Sequence, residues 1–78
     1  MKKRVNLYTD LPVEQLSNDQ RINFLKLARM ELQKQVLDEG LYADWSSVTS
    51  NIEHAAIGHG PTRCWMEVDV RQPAGIDS

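Results

Sequence analysis

A single cysteine, Cys64, leaves this 78-residue chain without an internal disulfide framework and makes a reducing, cytoplasmic setting the expectation. No stretch approaches a membrane span, and the opening MKKRVNLYTD lacks the apolar core of a signal peptide behind its basic start. A basic surplus is missing too. Nine Lys and Arg stand against eleven Asp and Glu, for a net charge of −2, whereas a duplex-DNA binder usually carries excess cation. Only Lys2, Lys3 and Arg4 cluster, so nucleic acid is not the expected partner. There is no phosphate-cradling glycine loop, nucleophile elbow or dinucleotide fingerprint, so no catalytic framework is legible and no cofactor is implied. Repeats and low-complexity runs are also absent. What remains is ordinary for a soluble globular chain: 41% hydrophobic, 26% charged, mean hydropathy −0.48. The length allows one domain, residues 1–78, near the lower limit for a self-sufficient core.

The segment 18–39, NDQRINFLKLARMELQKQVLDE, organises the rest. At about 100° per residue, Ile22, Leu25, Ala28, Leu32 and Val36 fall on one stripe, the signature of an amphipathic helix. Ser17 with Gln20 three residues later matches a capping box, and Asp19 suits the first turn. Gly40 can take the left-handed conformation that closes a helix, with Leu41 folding back on Val36.

Leu27, Met30 and Leu37 form a second apolar strip, interleaved with Lys26 and Lys34. The first expectation is that short flanking segments cover it; the other is that it is a dimer or partner surface. Arg29 projects within the main stripe. It either lays its stem along the core with its head in water, or pairs across an interface.

Before this helix, residues 3–9 alternate, with Val5 and Leu7 on one face and Arg4, Asn6 and Tyr8 on the other, which reads as a strand. A short helix over 11–16 is expected behind Thr9 and Asp10, with Pro12 in its first turn. Past Gly40, Trp45, Val48, Ile52, Ala55 and Ala56 recur at helical spacing, predicting a helix over 44–57. Its Ser- and Thr-rich middle has poor propensity, so the helix either runs through or breaks and restarts at the Ser50-to-Glu53 capping pattern. Gly58 ends it, and His59, Gly60 and Pro61 turn the chain. Residues 62–72 then alternate strictly, with Cys64, Met66, Val68 and Val70 on one side and Trp65, Glu67, Asp69 and Arg71 on the other. Pro73 begins a loose tail, 73–78.

These elements predict a small α+β domain in the order β-α-α-α-β, its terminal strands paired antiparallel and packed on the long helix. A register setting Tyr8 opposite Trp65 also sets Asn6 opposite Glu67, Arg4 opposite Asp69 and Asp10 opposite Arg63. Two strands make a marginal sheet with exposed edges, a hint of completion by association.

His54, His59 and Cys64 are the best metal candidates by type. They lack paired spacings and a fourth ligand, and they project from opposite faces, so no metal is expected. A buried Cys64 with His59 as base makes a poorly framed nucleophile. The alternative function is a small DNA-binding regulator using the helix pair around Gly40, with Ser46, Ser47, Ser50, Asn51 and His54 as readers. Asp38, Glu39, Asp44 and Glu53 around it would repel phosphate. The leading expectation is a non-catalytic binding module, a regulator or inhibitor occupying a surface of a larger protein, with self-association into a homodimer as a further expectation. The partner face comprises Tyr8, Trp65, Glu67, Asp69, Arg71 and Arg29, residue types that dominate binding hot spots. A bacterial or phage accessory protein fits that description.

Overall fold

The computed structural model describes residues 1–55 and 61–73. Strand β1 spans Lys2–Thr9, a 3-10 turn Val13–Gln15, helix α1 Asn18–Asp38, β2 Tyr42–His54 and β3 Thr62–Arg71. The order is β-α-β-β, which corrects the expected β-α-α-α-β. The three strands form one antiparallel sheet in the order β1-β3-β2, and α1 lies on one face of it.

Helix α1 begins and ends where local chemistry directs. The Gln20 N–H donates to Ser17 Oγ at 3.1 Å, and the Ser17 N–H donates to Gln20 Oε1 at 2.8 Å. This reciprocal box satisfies two donors that have no partner inside the helix. At the other end Gly40 sits at φ +66°, the Leu41 N–H reaches the Val36 carbonyl at 3.0 Å, and the Gly40 N–H reaches the Leu37 carbonyl at 3.1 Å. Both bonds of a Schellman closure are present. The 11–16 segment is shorter than expected, a single 3-10 turn behind Pro12. Arg21 clamps it, donating from Nη2 to the Val13 carbonyl at 2.9 Å.

The segment expected to be a helix over 44–57 is the strand β2. The cause lies in its pairing with β3. Asp44 is opposite Asp69 and Thr49 opposite Glu67, so β2 advances five positions while β3 advances two. This bulge absorbs Trp45, Ser46, Ser47 and Val48 and shifts the alternation. Helix-like spacing of Trp45, Val48 and Ile52 is therefore produced by an interrupted period of two. The serines build the bulge: the Asp69 N–H donates to Ser47 Oγ at 3.0 Å, and Ser47 Oγ–H donates to the Asp44 carbonyl at 2.7 Å. Ser, Thr, Val and Ile are poor helix formers in any case, and a third strand relieves the marginal pairing of the other two.

With β2 on one side and β1 on the other, β3 is the central strand. Cys64, Met66, Val68 and Val70 all face α1 and are buried. They meet Val5 from β1 and Phe24, Ala28, Leu32 and Val36 from the helix, with Leu16 closing one end. The helix presents Phe24 to this core, and Ile22, expected inside, stands outside. The buried stripe is thus rotated by part of a turn towards β1. Thr62 is fully buried and donates its hydroxyl to the Leu11 carbonyl at 2.7 Å, tying the first connection to β3.

The ends of the chain do pair antiparallel, but two residues away from the expected register. Tyr8 lies opposite Arg63, Asn6 opposite Trp65, Arg4 opposite Glu67 and Lys2 opposite Asp69. A slip of two keeps the same faces inward. The expected register would have set Lys2 against Arg71; the observed one gives Lys2 a carboxylate and gives up the Tyr8–Trp65 contact. Ala56, Gly58, His59, Gly60 and the tail from Ala74 fall outside the described residues.

Candidate interaction surfaces

The sheet's outer face is built row by row from the two registers. Lys2, Asp69 and Asp44 make one row, Arg4, Glu67 and Thr49 the next, then Asn6, Trp65 and Asn51, then Tyr8, Arg63 and Glu53. Most of its charge is answered within the fold. Lys2 Nζ lies 2.6 Å from Asp69 Oδ1 and Arg4 Nε 3.2 Å from Glu67 Oε2, while Arg63 pairs closely with Glu53. The hydrogen bond from Arg63 holds the Glu53 carboxyl below its usual range, helped by the Trp65 indole N–H at 3.3 Å. Lys2 does the same for Asp69 through its hydrogen bond and charge.

Trp65 stays on this outer face, half-buried, with the Arg4 guanidinium 4.3 Å above its ring. Its indole and its π face are both engaged. Tyr8 and Arg71 remain exposed at the margin. Arg29 lies elsewhere, on the helix, where its guanidinium stacks 4.7 Å from the Trp45 ring. Its head therefore rests on an indole of its own chain.

The outward side of α1 differs. Ile22 is 57% exposed, Leu27 47%, Met30 63% and Leu37 79%. The expected cover from flanking segments is absent among the described residues. The chain behind the helix turns back into β2 beneath the helix, and the 3-10 turn packs at its N-terminal end. Lys26 and Lys34 stand exposed on the same side. Leu27 also borders a groove of about 310 Å³ between β1 and the helix, lined by Tyr8, Leu11, Leu16 and Phe24. The exposure of Ile22, the inward place of Phe24 and this groove escaped the sequence reading. A wheel drawn for Phe24 as well as the aliphatic residues would have turned the buried face and exposed Ile22.

Of the metal and nucleophile candidates, Cys64 and His54 are described, on the neighbouring strands β3 and β2. Cys64 is fully buried on the inner face, where desolvation pushes its thiol pKa up. His54 Nε2 is 4.0 Å from Glu14, and its Nδ1 is enclosed without a partner among the described residues. His59 is outside the described residues. Among the described residues no three His, Cys, Asp or Glu side chains group as a metal site. The helix pair around Gly40 that a DNA reader would need is likewise missing from the described residues, because its second member is β2. No described helix is long and apolar enough to cross a membrane.

The class of object is thus a small two-layer α+β domain, one helix on a three-stranded antiparallel sheet, with one polar open face and one apolar open face. No protein-family model, curated protein or solved structure matches the chain.

Proposed function

We propose that the protein is a non-catalytic binding module, a small regulator or inhibitor that acts by occupying a surface of a larger protein. The outward side of α1 is the docking face. The observation that carries this reading is the exposure of Ile22, Leu27, Met30 and Leu37 on one helix whose opposite side already fills the core. A helix normally turns polar residues outward, and large apolar side chains gathered on its exposed side mark a candidate interaction site. A chain with so few elements gains nothing in its own stability from placing Leu37 there.

The outer sheet residues Trp65, Glu67 and Asp69 already have partners within the fold, so the docking face is placed on the helix instead. Tyr8 borders it through the groove beside Leu27. Arg71 sits at the far margin of the sheet.

A Met30→Ser/Leu37→Ser variant tests the reading. It is expected to melt like the parent and to lose the crosslinks that the parent forms with one larger protein in native extract. Identical crosslinks from parent and variant, or crosslinks mapping to Trp65 and Arg71, would overturn the helix as the docking face.

A further inference from the structure

Resting on that reading, we infer that the occupant of the α1 face is an amphipathic helix of the partner protein whose flanks carry Asp and Glu. Lys26, Met30 and Lys34 follow one another at intervals of four, so two cations bracket the central apolar residue on a single side of the helix. The close ion pairs among the described residues are Lys2–Asp69, Lys3–Glu39, Arg4–Glu67, Arg63–Glu53 and His54–Glu14. All of them lie on the sheet, at the helix end or at the 3-10 turn. None involves Lys26 or Lys34. Among the described residues neither lysine makes a close ion pair, and both stand exposed within the strip. Of the carboxylates at helical spacing from Lys34, Glu31 accepts a hydrogen bond from Gln35 at 2.9 Å, and Asp38 forms no close pair among the described residues.

The same placement disfavours a second copy of this chain. An antiparallel copy centred on Met30 sets each Lys26 against the other chain's Lys34, and a parallel copy in register sets each lysine against its own counterpart. Either arrangement brings like charges together at the centre of the contact, which costs association free energy. An acidic helix reverses the sign. The surface also has the shape for one: Ile22, Met30 and Leu37 recur every seven or eight residues along about 22 Å, and such a ridge receives a helix lying nearly parallel to it.

The test uses the full chain and two fluorescent helical peptides of about 20 residues. Both have the same leucine stripe; one is flanked by Glu, the other by Lys. The Glu peptide is expected to bind about ten-fold or more tightly at low salt, with an advantage that shrinks as salt rises. Lys26→Glu/Lys34→Glu, at unchanged melting temperature, should invert the preference.

Equal binding of the two peptides, or a preference that survives the charge reversal, would overturn the inference. If that equal binding is also abolished by Met30→Ser/Leu37→Ser, the apolar docking face still stands. Failure of both peptides would overturn the acidic occupant, leaving the face itself to the crosslinking result. A stable dimer by light scattering that Leu37→Ser dissolves would replace the acidic helix with a second copy.

Discussion

The two open faces of this domain are both exposed, and they are unlike in one respect. On the sheet, Lys2, Arg4 and Arg63 each have a carboxylate on a neighbouring strand, and Trp65 is bonded to Glu53 and covered by Arg4. On the helix, Met30 and Leu37 stand exposed, and among the described residues the lysines beside them make no close ion pair. A polar open face is the ordinary condition of an antiparallel sheet. An apolar open face on a helix is not, because the chain forgoes burial to keep it. The difference teaches that exposure alone is a poor guide to binding. What matters is whether the exposed groups are already satisfied.

The sharpest way to break the comparison is on α1 itself. Leu32 and Met30 lie on opposite sides of the same helix, with Leu32 fully buried. Leu32→Ala should cost about 2–5 kcal/mol in denaturant unfolding through lost burial and a cavity. Met30→Ala should stay within about 0.5 kcal/mol. A large loss at Met30 would mean that its face is covered and belongs to the core.

On the sheet, Trp65→Ala should destabilise by about 1 kcal/mol, because it removes the stack under Arg4 and leaves Glu53 without the indole N–H. A neutral outcome there would make the outer sheet as free as the helix face and would return it to consideration for docking.

Acid should weaken the sheet and spare the helix face. Glu53 and Asp69 have carboxyl pKa values lowered in the fold. Their contribution is therefore fully present above the ordinary carboxylate pKa of about 4 and is lost as pH falls through the lower folded values. Thermal unfolding below about pH 4 should show this loss, and Glu53→Gln should flatten the acid limb. The smallest effect is expected from Lys26→Gln, which should leave the melting curve unchanged.

Legibility followed the range of the interactions. The helix was readable because Ser17, Gln20 and Gly40 act within a few residues of their partners. The alternation of β3 was readable because both its neighbours are strands, and every second residue from Cys64 to Val70 meets the helix. β2 was not, since the bulge at Trp45–Val48 interrupts its period and copies helical spacing. The register of β1 on β3 was not either: Arg4 meets a carboxylate, Glu67 or Asp69, in either register, so slips of two look alike until Lys2 is counted. The candidate docking strip was half legible. Leu27, Met30 and Leu37 stood out from their spacing, but whether anything covered them depended on where residues 44–54 went.

By itself the chain determined its helix, its caps, the inward set of β3 and the antiparallel meeting of its ends, because those follow from steric preference and hydrogen bonds over short distances, or from charge paired across two strands. Only the tertiary structure decided that the Ser-rich segment is a third strand, that Phe24 and not Ile22 turns inward, and that the described residues leave Met30 and Leu37 of α1 exposed. Those outcomes depend on what the sheet presents to the helix, and a sheet edge is completed by residues far away along the chain.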